Sequence, residues 1–144
     1  RALSSCLFTM TNLENKHDDK ALLAKFIQYE AAGASAEAQL AVGLVIMNRV
    51  RSKQFPNSVK EVINQPKMFA SIAQINKIKE VNKEANTAAE MALAGQFGTL
   101  VEFPANILYF GKQGVYDKVP GYKKAIYKQI GDIYLFTDKL FEKK

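Results

Sequence analysis

Apolar residues recur along this chain first with the period of a helix, then in short unbroken runs. After Asp18 and Asp19, whose carboxylates suit a helix start, Leu23, Phe26, Ile27 and Glu30 fall at i, i+3, i+4 and i+7. That is one face of a 3.6-residue repeat, and Gly33 offers it a left-handed stop. A second helix is predicted from Ser35 to about Ser52, with Ala41, Leu44, Val45 and Asn48 as its inward stripe. Phe55-Pro56-Asn57 breaks it, and Ser58-Val59-Lys60-Glu61 reads as a capping box opening a short third helix that ends before Pro66. Met68 to Lys79 fits either loop or helix. Asn82 to Ala94 reads as an alanine-rich helix closed by Gly95. The pattern then changes. Ile107-Leu108-Tyr109-Phe110 and Ile133-Tyr134-Leu135-Phe136 predict two short strands, and Tyr122 to Ile130 between them predicts a further helix. Helices first and a small β element near the C-terminus make an α+β, mostly helical fold, not alternating βαβ units.

The length of 144 residues suits one folding unit with a core of its own. Residues 1–17 are polar and irregular and read as a leader or an N-terminal arm; residues 18–144 form the single domain. Ala2 to Met10 lacks the long apolar core and small-residue cleavage site of an intact signal peptide. The longest apolar run, Leu40 to Met47, falls far short of the ~20 residues a membrane span needs. One cysteine, Cys6, cannot form an intrachain disulfide, and one histidine, His17, excludes a multi-histidine zinc site. The formal charge is +6, and the last 33 residues hold eight lysines against four acids. A basic surface prefers a polyanion: nucleic acid, an anionic membrane face or a bacterial wall. Only three arginines are present, which leaves few of the planar forks that read phosphates and bases.

Glu30 is the informative residue. It shares its stripe with Leu23, Phe26 and Ile27, where a core side chain is expected. Burial raises a carboxyl pKa, and a carboxylic acid kept protonated near neutral pH is what protonating a glycosidic oxygen requires. The competing reading is a boundary glutamate whose head reaches water or a neighbouring amide. Asn48 repeats the anomaly on the second helix; it either orients Glu30, holds a substrate acetamido group, or ties down a backbone carbonyl.

These residues belong to a longer pattern: Leu22-Leu23-Ala24, Tyr29-Glu30-Ala31-Ala32-Gly33, Glu37 to Val42, Asn48-Arg49-Val50, Phe55-Pro56-Asn57-Ser58, Val62-Ile63, Gln65-Pro66 and Phe69. Together they resemble the SleB-type cell-wall hydrolase family, which includes spore cortex-lytic enzymes. The resemblance is dense over residues 22–69 and thinner in the C-terminal strands. It implies a lysozyme-like domain that cuts peptidoglycan between N-acetylmuramic acid and N-acetylglucosamine, with Glu30 as the acid/base and no metal or cofactor. It also implies lytic transglycosylase chemistry, in which one carboxyl group serves first as acid and then as base. Hydrolysis usually needs a second carboxylate; Glu37, Glu90 and Glu102 are candidates, and each reads as well as a solvated charge.

Sugar binding calls for aromatic faces and amides, and the chain has no tryptophan. Tyr29, Phe69, Tyr109, Tyr116 and Asn48 are the expected substrate-binding residues. The expected partner is the glycan strand, met by a monomer at the wall or another extracytoplasmic site, with no nucleic acid and no membrane span. The chain departs from the family pattern at Ala32 and Ala34, where an Arg and a second Glu are usual. It departs again at Gly111-Lys112-Gln113 in place of Asn-Pro, and at Ile133 near a usual histidine. The changes at Ala32 and Ala34 motivate the alternative of a non-catalytic module that binds wall glycan, and the +6 charge that of a basic module that binds nucleic acid.

Overall fold

A short polar side chain stands before each of three helices and takes up an orphan amide of the first turn. Ser35 Oγ accepts from the Ala38 N–H at 3.1 Å, Ser58 Oγ from Glu61 at 3.2 Å and Asn82 Oδ1 from Ala85 at 2.8 Å. The computed structural model describes residues 18–65 and 72–141. Helix α1 covers residues 18–31. The three capped helices are α2 (Ala36–Arg51), α3 (Val59–Ile63) and α5 (Lys83–Leu93), with one helical turn, α4 (Ile72–Ile75), before α5. Gly33 and Gly95 follow α1 and α5, both at positive φ, as the sequence predicts. The Met68 to Lys79 stretch resolves into that single turn of α4 and irregular chain, its first residues lying outside the described ones.

Helix α2 is the axis of the molecule. Every residue from Ala38 through Arg49 is buried, so its apolar stripe is in fact a belt. α5, α3, α1 and the first strand cover it on different sides. Close approach is possible because position 43 has no side chain. A Cβ there would stand 2.9 Å from Ala92 Cβ on α5 and 3.0 Å from Ile27 Cδ1 on α1.

The C-terminal part differs from expectation at one element. Only Tyr122–Ala125 is helical (α6); Ile126–Ile130 is a strand, β2, where the sequence predicted helix to Ile130. With β1 (Ile107–Lys112) and β3 (Ile133–Thr137) it makes an antiparallel sheet in the order β1-β3-β2. Two strands rich in Ile and Tyr flank the two-residue loop Gly131-Asp132, with Ile130 paired to Ile133. Gly131 at φ +61° suits the first central position of a type II′ hairpin turn. Tight pairing to β3 outweighs the weak helical pattern of one isolated segment.

Register shifts between Ile107 and Tyr109 and between Ile126 and Lys128 bulge both outer strands. The β1 bulge lets Ile107 and Phe110 face the helical core while Leu108 and Tyr109 join Phe136, Ala125 and Leu140 in a second cluster. Ile133 and Leu135 also join the main core. No helix among the described residues is long and apolar enough to cross a membrane.

Overpacking a tight core typically costs 1–3 kcal/mol. Gly43→Val is therefore expected to lower unfolding stability by about 2 kcal/mol, read as a lower urea midpoint; an unchanged midpoint would show that the three helices separate without strain.

Candidate active site

The last turns of α2 carry two buried polar side chains, and both reach the backbone at the start of β1. Asn48, 7% exposed, donates from Nδ2 to the carbonyls of Pro104 (2.9 Å) and Ile107 (3.1 Å). Arg49, 0% exposed, donates from Nε to the Leu108 carbonyl at 2.7 Å. Its guanidinium carbon lies 4.7 Å from the Phe55 ring centroid and 5.1 Å from that of Tyr109, within cation–π range. Burial lowers the Arg49 pKa to about 10, opposed by the phenols of Tyr116 and Tyr109, so the side chain remains a cation at neutral pH.

Glu30 sits half-buried in the last turn of α1, beside a groove of about 370 Å³. Tyr29 and Glu30 form one wall; Phe110, Gly111 and Lys112 of β1, Val115, Tyr116 and Ile133 form the rest. Tyr116 is held by edge-to-face contacts with Phe136 and Phe141, at centroid distances of 5.0 and 5.9 Å. Gly111 makes room for it, since a Cβ at that position would meet Tyr116 Cε2 at 2.8 Å. Burial is the main cause that raises the Tyr116 pKa; Arg49 pulls it down, and Tyr109 and Glu30 push it up. The phenol accordingly stays protonated at neutral pH, a hydrogen-bond donor in the groove that holds the carboxyl group.

The residues expected to bind sugar separate into three groups. Tyr29, 44% exposed, and Tyr116 line the groove with Glu30. Asn48 and Tyr109 lie in the interior. Asn48 serves the backbone, and Tyr109, 9% exposed, packs edge-on against Phe55 and Phe141. Phe69 lies outside the described residues. None of the three candidate second acids reaches the groove. Glu37 accepts a 2.8 Å hydrogen bond from Thr99 Oγ1, Glu90 pairs with Lys20, and Glu102 follows an exposed turn at Val101. Glu30 is the one carboxylate among the described residues that lines it. Sequence reasoning did not place Lys112, Val115 and Ile133 in this wall, because the 112–116 loop and the strand register, not any local pattern, bring them there.

Residues 33–136 match the cell wall hydrolase family, a span that begins just past Glu30 and covers most of the chain. The chain belongs to this family. Its relatives include the spore cortex-lytic enzyme of Bacillus subtilis (strain 168), 38% identical over 79 residues, which are 55% of this chain and 26% of the relative. The spore cortex-lytic enzyme of Bacillus cereus is 34% identical over 102 residues, or 69% of this chain and 38% of the relative. The chain thus spans between a quarter and two-fifths of the length of these curated relatives. Among solved structures, the catalytic domain of the germination-specific lytic transglycosylase SleB from Bacillus anthracis superposes with a TM-score of 0.66 at 28% identity, covering 83% of this chain and 93% of that one. The catalytic domain of Bacillus cereus SleB gives 0.68 at 28% identity, over 84% and 91%. Gly111, Lys112 and Ile133, at positions where the sequence departs from the expected pattern, stand in the groove wall, whereas Ala32 and Ala34 do not.

Two expectations follow. Asn48→Ala leaves the buried Ile107 carbonyl short of a donor and should cost about 1–3 kcal/mol of stability. If its role is structural, KM for wall substrate stays put, and a raised KM at unchanged stability would instead place the amide on the substrate. The second concerns alkaline pH. The folded protein holds the Tyr109 and Tyr116 protons above the ordinary value of 10, so their share of stability is complete below pH 10 and is lost as pH rises through the folded-state values. Arg49 runs the other way: its burial penalty is constant below about pH 10 and lifts as pH rises further. In an ultraviolet titration of the folded protein, Tyr116→Phe should remove one late-ionising phenol; loss of an early one would contradict the assignment.

Proposed function

We propose that this domain cleaves peptidoglycan between N-acetylmuramic acid and N-acetylglucosamine as a lytic transglycosylase, with Glu30 as its single acid/base, acting at the wall outside the cytoplasm. The observation that carries the reading is a groove walled by aromatic rings in which Glu30 is the one carboxylate among the described residues. Family membership and the likeness to lytic transglycosylase catalytic domains support it. The volume falls within the range of roughly 300–1,000 Å³ usual for small-ligand sites, and Tyr29 and Tyr116 offer faces to sugar rings.

The chemistry needs one proton carrier used twice. Protonated Glu30 gives its proton to the bridging oxygen as the bond from muramyl C1 to that oxygen breaks, freeing the 4-hydroxyl of the glucosaminyl residue. The Glu30 carboxylate then takes the proton of the muramyl 6-hydroxyl while that oxygen bonds to C1. The products are a 1,6-anhydromuramyl end and a new glucosaminyl end, and Glu30 is again protonated. Attack by water from the opposite face would call for a second carboxylate. The protonated Tyr116 phenol is a donor for substrate oxygens, and Lys112 places a positive charge at the rim.

A positioned acid/base typically contributes 10²–10⁴-fold. Glu30→Gln is therefore expected to lower turnover of purified peptidoglycan at least about 100-fold with its thermal midpoint unchanged. Mass spectrometry of the soluble fragments should find anhydromuramyl ends with the parent protein only. Reducing muramyl ends would mean hydrolysis, and equal turnover by the variant would remove Glu30 from the chemistry. If both proteins bind wall material and release nothing, the domain is a glycan-binding module.

A further inference from the structure

A second groove, of about 310 Å³, lies across the 112–116 loop from the first and shares Lys112 and Tyr116 with it. The sheet explains the placement. Gly111 pairs with Tyr134 and Lys112 with Ile133. Ile133 and Leu135 face the helical core, while Tyr134 and Phe136 belong to the opposite face. The loop after β1 therefore wraps the end of the sheet, with the Glu30 groove on one side and the second groove on the other. Beyond the shared residues, Gln113, Tyr122, Lys123 and Tyr134 line the second groove. Lys112, Gln113 and Lys123 are exposed, and Asp117 is the one acid in the lining. From Ile107 to Thr137 the chain carries five lysines and two aspartates.

A neutral sugar does not call for this charge. Two ammonium groups beside phenols and a carboxamide suit a ligand that carries carboxylates together with peptide bonds. On the substrate class proposed above, the muramyl lactyl group bears such a ligand: the stem peptide, with free carboxylates along it. We propose that the second groove holds the carboxylate-bearing stem peptide of a muramyl residue bound at Glu30, with Lys112 and Lys123 facing its carboxylates. This assignment rests on the glycan-cleaving reading and adds a specificity element to it: strands that bear stems are preferred to strands stripped of them.

The test uses two soluble probes, the N-acetylglucosaminyl-N-acetylmuramyl tetrapeptide and the same disaccharide without peptide, measured by calorimetry at low and high salt. The parent protein should bind the tetrapeptide more tightly, and salt should erode the difference. Lys123→Gln is expected to weaken tetrapeptide binding about three- to five-fold, the loss of one exposed ion pair, and to leave disaccharide binding unchanged. Lys123→Glu should weaken it further. Equal affinity for the two probes, equal losses on both, or no binding of either overturns the proposal. Cleavage assays on intact and amidase-stripped glycan separate this outcome from failure of the catalytic reading. A stem preference in calorimetry, retained by Glu30→Gln but without fragment release by any form, leaves the groove standing and the catalytic reading fallen. Release from both glycans with no stem preference does the reverse.

Discussion

Three carbonyls at the start of β1 set the constraint around which this domain is built. Among the described residues β1 is an edge strand with β3 as its one sheet neighbour, and its bulged beginning lies under α2. Buried main-chain oxygens without donors are costly; the Pro104 carbonyl takes the Ile107 N–H at 3.1 Å, and side chains of α2 can complete the set. Asn48 and Arg49 do so, engaging Pro104, Ile107 and Leu108. The helical layer and the sheet are thereby joined by directional bonds as well as by apolar packing, and the register of β1 against α2 is set. Since Gly111 and Lys112 end the same strand, the wall facing Glu30 is positioned by this join.

Arg49 brings a full charge into the interior, which burial opposes. Phe55 and Tyr109 rings on its guanidinium, and the bond to Leu108, offset that cost in part. Burial of the Tyr116 phenol raises its pKa, and the Arg49 cation opposes that shift. A side chain remote from the solvent thus bears on the groove through Tyr116, whose ring touches Phe136 and Phe141 and rests in the space left by Gly111. Packing, electrostatics and site geometry meet at this one tyrosine.

The relation to the family is uneven across the groove. Glu30 on α1 lines one wall and the Asn48-Arg49 pair on α2 serves the backbone of β1, while Lys112 and Ile133 stand in the opposite wall. Replacing an uncharged dipeptide by Gly111-Lys112-Gln113 brings a cation to the boundary between two grooves. Family membership and the superposed catalytic domains therefore speak for the fold, and the wall residues set the charge of this chain's own groove. Ala32 and Ala34, conspicuous when the sequence is read in line, lie away from that wall.

The helical half was legible because its signals are local. Ser35, Ser58 and Asn82 cap their own helices within three residues, and the Leu23, Phe26, Ile27 stripe needs no partner to be seen. The strand β2 was not legible as such, because Ile126 to Ile130 becomes strand through pairing with β3, a cooperative choice that outweighs single-segment propensity. Glu30 stood out by interrupting an apolar stripe, and Tyr29 came with it. Asn48 interrupts a stripe in the same way and yet serves the backbone, since a one-dimensional pattern marks a polar group in the interior without saying which acceptor it meets. By itself, then, the chain determined its capped helices and its α+β class, and it marked Glu30 as a polar break in an apolar stripe. Tertiary structure alone decided that Tyr116 and Lys112 face Glu30, that Tyr109 does not, and that a second groove adjoins the first. Those neighbours are dozens of residues apart along the chain, and only the sheet register and the loop around its edge bring them together.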